Sequence, residues 1–406
     1  MRIDIDKSIK YILMLLMFYS GQLTVMNYTM FSSASYSRLI MMGMFMVVMG
    51  IFAYYFVKCH KTINYVCILC GSMCIVNYIL SMILNRDWRG SYVLLVMNIL
   101  TAVSLTAIFD RREFYAIYVN CMVFFSVIGI IATYGIVPFL ASYLPTVQAS
   151  NGALYYNLVL VYPLSLSGAE AYRMNCIWTE PGVLAAYLMF ALIFGLFFVK
   201  SGVVKNFILI LAMLCARSST GYVLLILIIG TFVLKQILDT HNFSLLIVIA
   251  LSVIAAGTVV YMLMPDAVDA ILYKYQINSI YFIGRIAPMI YNMDMWTRSP
   301  LFGLGFEEGA FRVNYKIYRG VLFANTSTTT LLFHNFGFVL PVMSMLASWR
   351  LSRVVRERWI ISFLLAAILI LGVNFENQVL DQFYCIILFS IFMPMKEEQE
   401  NESAVA

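Results

Sequence analysis

Apolar runs about twenty residues long recur along almost the whole chain, and no other feature constrains its fold as tightly. A run of that length, wound as a helix, crosses the roughly 30 Å hydrocarbon layer of a bilayer. Roughly twelve are present, at about 8–27, 38–57, 62–84, 90–109, 114–136, 180–199, 203–216, 219–235, 243–264, 329–348, 359–373 and 380–394. The seventh and eleventh are short. Only 11% of the 406 residues are charged, 63% are hydrophobic, and the mean hydropathy is +0.89. Inside lipid the backbone must satisfy its own hydrogen bonds, so the expected class is an all-α polytopic membrane protein. The opening "MRIDIDKSIKYILMLLMFYS" has a charged start and an apolar run but no small-residue cleavage site, and reads as an anchor.

Lysine and arginine in the loops set the expected orientation. With the N-terminus in the cytoplasm, fifteen of the 26 basic residues fall inside, from Arg2, Lys7 and Lys10 to Arg358 and Lys396. Six more lie in one long outside loop, which the rule exempts, leaving fifteen against five. An even number of spans returns the acidic tail "KEEQENE" to the cytoplasm. The net charge of +6 therefore reports topology and is no footprint for nucleic acid. The expected topology puts both termini in the cytoplasm.

The chain reads as one membrane domain. Residues 1–136 form scaffold helices, 137–179 an outside loop and 180–264 helices six to nine. Residues 265–328 form a larger outside loop, 329–394 helices ten to twelve, and 395–406 a cytoplasmic tail. The larger loop carries four tyrosines between Tyr273 and Tyr291, then Trp296, Tyr315 and Tyr318. Loops of this length usually have a function. Its pattern near 267–296 predicts a helix lying on the membrane surface. Cys67 and Cys70 form a C-x-x-C, but within a span, where helix packing is the expected role. "GLGFEEG" lacks the strand–helix setting of a dinucleotide loop.

Four ionisable residues fall at the outer membrane face. His334 is the only one of three histidines outside, just within the end of helix ten; His60 and His241 fall in cytoplasmic loops. Arg217 sits in the short turn "ARSSTG", Glu180 opens helix six before Pro181, and Arg285 lies in the aromatic loop. Each has an ordinary structural explanation: a solvated turn for Arg217, a helix-start carboxylate for Glu180, the polar face of an interfacial helix for Arg285, a satisfied core residue for His334. An ionisable group costs about 2.5–3.5 kcal/mol at mid-span and less near the ends, which favours a functional role for His334.

Together they suggest a chemistry. Arginine forks bind phosphate or pyrophosphate through paired charge-assisted hydrogen bonds. A histidine beside them suits a general base. Aromatic side chains suit sugar rings. The combination describes a sugar donor carried on a lipid pyrophosphate and attacked by a sugar hydroxyl, with arginines stabilising the departing pyrophosphate. Outside carboxylates are sparse and show no metal-ligand spacing, so neither a metal nor a cofactor is expected.

The order "EPG", "ARSSTG", "GRIAPMIYNMDMWTRSPLFGLGFEEG", "TTTLLFHNFGFVLPVMSML" resembles the bacterial O-antigen polymerase and O-antigen ligase superfamily. That family shows an S-R-[ST]-[GA]-like turn, an arginine before a W-x-x-x-P-x-x-G-x-G segment, and a His-Asn pair opening the next helix. Here these fall at Arg217–Gly221, at Arg285 with Trp296–Gly305, and at His334-Asn335, within about 178–345. One departure is that the serines follow the arginine, so their role does not carry over. The resemblance implies a metal-independent, inverting glycosyltransferase of the GT-C type acting on undecaprenyl-pyrophosphate-linked oligosaccharides. It implies His334 as catalytic base, Arg217 and Arg285 on the pyrophosphate, and Asn335 in support. Glu180 would orient the imidazole or hold one arginine. A chain-length regulator and membrane lipids are the partners it suggests. The expected activity is repeat-unit polymerisation; a ligase passing polymer to lipid A core is the sister alternative. A flippase or secondary transporter would place charges at mid-membrane, which are nearly absent here.

Overall fold

The computed structural model describes residues 5–26, 34–149, 152–165, 173–240, 280–308, 317–318, 321–322, 327–353, 358–374 and 378–395. The expected span at 243–264, much of the loop 265–328 and the tail from 396 lie outside the described residues. What is described is overwhelmingly helical. In chain order the helices are α1 (Ile5–Ser20), α2 (Ala34–Lys58), α3 (Tyr65–Leu84), α4 (Gly90–Ile108), α5 (Arg111–Ile130), α6 (Pro181–Ile193) and α7 (Val203–Cys215). They continue with α8 (Ser219–Thr240), α9 (Ile280–Trp296), α10 (Thr328–Phe336), α11 (Val339–Arg353), α12 (Trp359–Asn374) and α13 (Gln382–Phe389). Two short antiparallel hairpins, Thr146–Gln148 with Leu154–Tyr156 and Ile317–Tyr318 with Val321–Leu322, are the strands among the described residues.

Six of these helices are long and apolar enough to cross a membrane, three more are shorter apolar helices, and the chain is membrane-embedded. Their burial sorts them. Within its best window the Pro181–Phe198 span is 89% buried and Gly90–Ile108 72%, whereas Leu39–Lys58 is 22% buried. Thus α4 and α6 are central, and α2 turns Met46 and Val57 outward, as lipid-facing helices do. An aromatic cluster joins α1, α5, α6 and α13, with Phe18 stacked on Phe383 at 4.3 Å between centroids.

The end of the first loop packs on the bundle. Residues 173–179 run back into the bundle, and Trp178 is fully buried between Phe18, Phe125 and Tyr187. Its backbone is held by Val25 N–H to Ile177 O at 2.8 Å and Thr179 N–H to Leu23 O at 3.0 Å.

The expected continuous helix at 329–348 is two helices. Gly337 adopts φ +75° and ends α10, donating its N–H to Phe333 O. A Cβ there would lie 2.1 Å from the carbonyl oxygen of Leu301, so only glycine fits. Pro341 then occupies the first turn of α11, where its missing N–H costs nothing. The break is sharp because both signals, glycine stop and proline restart, fall within five residues.

Helix α3 spans 20 residues, about 30 Å, and fixes two ends of the molecule. At its start Asn64 lines a pocket with Arg111, Arg350 and Arg353. At its finish Asn85 donates to Gly303 O, beside the helix carrying His334.

Candidate functional site

His334 lies in the last turn of α10 and is fully buried. Its Nδ1 is 3.1 Å from Oδ1 of Asn292, on the neighbouring helix α9. Asn292 Nδ2 donates to Thr330 Oγ1 at 3.0 Å, so its Oδ1 is the accepting atom and His334 Nδ1 carries the proton. In the neutral ring Nε2 then bears the lone pair, as a general base requires.

The hydrogen bonds run on in one direction. Thr330 Oγ1 donates to Ser327 Oγ at 2.7 Å, and Ser327 Oγ to Asn374 Oδ1 at 2.9 Å. Asn374 Nδ2 closes the chain on Thr329 Oγ1 and Ile370 O. Aligned donors polarise one another where the dielectric is low. Asn374 also accepts from the Thr329 backbone N–H at 3.1 Å. Ser327, the N-cap residue, makes no side-chain cap of its own; α12 therefore caps α10 from outside.

Asn335 differs from its neighbour. It is fully buried, yet among the described residues neither atom of its amide has a hydrogen-bond partner. Its backbone carbonyl is held by Ser81 Oγ at 3.1 Å. A buried amide left unmatched costs about 1–3 kcal/mol. Such a group has hydrogen-bonding capacity to offer a ligand or water.

The "WTRSPLFGLGF" segment is the clamp that sets this helix. Leu304 N–H donates to His334 O at 2.8 Å, and Phe338 N–H to Pro300 O at 3.0 Å. Gly303, at φ +67°, lies so close that a Cβ would be 2.2 Å from the Asn335 carbonyl carbon. The segment is itself held by the α3–α4 turn. Asp87, 2% exposed, accepts from the Phe306 N–H at 2.8 Å and is 3.3 Å from the Arg89 guanidinium. Arg89 in turn donates to Phe306 O. This turn was read from sequence as scaffold; it reaches the site by holding the clamp.

The other expected residues lie on other elements than α10. Arg285 occupies α9 seven residues before Asn292, in the same row of the helix and about 10 Å along its axis. Arg217 is exposed, in the left-handed region at φ +48°, between α7 and α8. Strained non-glycine backbone of this kind clusters at functional sites. The serines that follow have a structural role. Ser218 Oγ accepts from the Gly221 N–H at 3.4 Å and caps α8, while Gly221 lets α8 approach Ala185 of α6. Arg173, which the sequence did not single out, joins Arg217 near the Tyr222 hydroxyl. Glu180 is the exposed N-cap residue of α6, makes no side-chain cap, and pairs with no cation among the described residues.

Sequence reasoning missed Asn292, Ser327, Asn374, Asp87 and Asp381. The last is 2% exposed and accepts the Tyr187 hydroxyl at 2.5 Å, at the head of α13. Neither a family model nor a curated protein matches this chain.

Proposed function

We propose that this chain is a membrane glycosyltransferase that polymerises undecaprenyl-pyrophosphate-linked oligosaccharide repeat units at the outer face of the bacterial cytoplasmic membrane. The observation that carries the reading is the imidazole of His334. It is buried at one end of a membrane bundle and held by Asn292 in the tautomer a base needs, beside an Asn335 amide with no protein partner among the described residues.

In this reading His334 Nε2 takes the proton of the acceptor hydroxyl as that oxygen attacks the anomeric carbon of the donor. The bond from that carbon to the pyrophosphate oxygen breaks, and the leaving group departs with the electron pair. Arg217 and Arg285 are assigned to the developing negative charge. Asn335 is assigned to a sugar hydroxyl or carbonyl, which would satisfy its amide. Displacement from the opposite face inverts the anomeric centre.

The test is reconstitution with lipid-linked repeat units. Wild type is expected to give a ladder of polymer, and His334→Ala none at matched protein level. Arg217→Lys and Arg285→Lys are each expected to fail as well, because a point charge does not reproduce the guanidinium fork. A normal ladder from His334→Ala would remove the assignment.

A further inference from the structure

Two cavities meet at the end of the molecule opposite His334. One, of about 490 Å³, is bounded by α3, α11 and α13; Cys74, Tyr78, Leu332, Ala347 and Leu388 are among its walls. The other, of about 380 Å³, holds Arg111, Arg350 and Arg353. Arg350, Ile391 and Phe392 line both, so the apolar cavity adjoins the arginine pocket.

Among the described residues none of the three arginines forms an ion pair, and the nearby acids Asp110 and Glu113 are engaged by Lys61 at 3.5 Å and Lys10 at 2.7 Å. Arg111 donates Nη2 to Ile391 O at 2.6 Å, and its Nε is buried with no hydrogen-bond partner.

We propose that this composite space is a binding site for an anionic phospholipid, with one acyl chain in the apolar cavity and the phosphate on Arg111, Arg350 and Arg353. Each half alone is ambiguous. Guanidinium groups bind any phosphate, and an apolar cavity accepts any hydrocarbon. Joined end to end, they match a molecule that carries both. Basic pockets between membrane helices collect anionic headgroups in this manner. The arginines stand at the mouth, at the ends of α11 and α5, and the cavity extends from them toward mid-bundle. Its far wall includes Leu332, two residues before His334, so a seated chain also buttresses α10.

The experiment uses the full-length protein, delipidated in detergent and mixed separately with dioleoyl phosphatidylglycerol, dioleoyl phosphatidylcholine or inorganic phosphate. Native mass spectrometry and thermal unfolding are the readouts. Phosphatidylglycerol is expected to stay bound and raise the unfolding temperature, and the other two are not. Arg350→Gln with Arg353→Gln should weaken phosphatidylglycerol about fivefold per arginine, while the paired Arg→Lys variant keeps most of the binding. Ala347→Phe, which fills the cavity, should abolish retention. Equal retention of phosphatidylcholine would overturn the proposal by making charge irrelevant. Equal stabilisation by inorganic phosphate would overturn it by reducing the site to an anion pocket. Undiminished lipid binding in folded Ala347→Phe would remove the cavity from the site.

Discussion

The helix carrying His334 is set by backbone contact and uncharged hydrogen bonds, with charge reaching it through the Asp87–Arg89 turn behind the clamp; at the opposite end positions are set by ions. Gly303 and Gly337 bring two backbones to within a Cβ of each other, and Asn292, Thr330, Ser327 and Asn374 link three helices without a formal charge. At the other end Lys10, 6% exposed, sits 2.8 Å from Asp6 and 2.7 Å from Glu113, and Lys61 pairs with Asp110. Ion pairs tolerate rotation and water, whereas close backbone packing does not. The first end therefore fixes the position of His334 closely, and the second leaves its charged groups more room to adjust.

The largest expected break of this contrast is Gly337→Ala. It clashes with the Leu301 carbonyl and strains a residue at φ +75°, so a loss of more than about 3 kcal/mol and of all polymer is expected. Gly50→Ala, on α2 with nothing within 4 Å, is the control; thermal unfolding should show it unchanged or slightly stabilised.

Asn292→Leu removes the acceptor for His334 Nδ1 while keeping the side-chain size. Polymerisation rate should drop roughly 10²-fold, about 2.7 kcal/mol, with the protein still folded. A rate within twofold of wild type would show that the tautomer is fixed by something else.

Lys10→Met tests the ionic end. It removes the cation that bridges Asp6 and Glu113 and should cost about 1–3 kcal/mol, since Asp6 is half exposed. Adding Glu113→Gln should recover part of that loss, and neither change should alter the product.

Asn374→Ala removes the cap that α12 lends to α10. A loss of about 0.5–2 kcal/mol is expected, read as faster hydrogen exchange in the first turn of α10. The smallest effect belongs to Glu180→Gln. The exposed side chain makes no cap, so at most about 0.3–1 kcal/mol of helix-dipole energy is lost, and chain length on a gel should stay near normal. A sharp fall in polymer would return Glu180 to the site.

The apolar spans were legible because hydropathy is additive along a window. The same averaging hid the break at Gly337, although Gly337 and Pro341 were both visible punctuation. His334, Asn335 and the glycine clamp stood out as motifs. Their supports did not. Asn292 and Asn374 are single amides in apolar helices, and their pairing depends on a fold that brings positions 292, 327 and 374 together. Asp87 looked like an ordinary turn residue because its partner, the Phe306 N–H, is 219 positions away. The burial of Trp178 was not legible, because hydropathy does not register a loop segment that packs back on the bundle.

The short length of α10 bears on how the protein is made. Nine residues cover about 14 Å, less than half of a bilayer core. The insertion machinery meets 329–348 as one apolar stretch, yet in the finished bundle that stretch is split, and the freed backbone around Phe338 is satisfied by Pro300 from the preceding loop. The bend that orients His334 is thus completed by a segment that lies outside the span itself. The position of the imidazole therefore depends on the docking of 299–305 as well as on the apolar stretch that carries it.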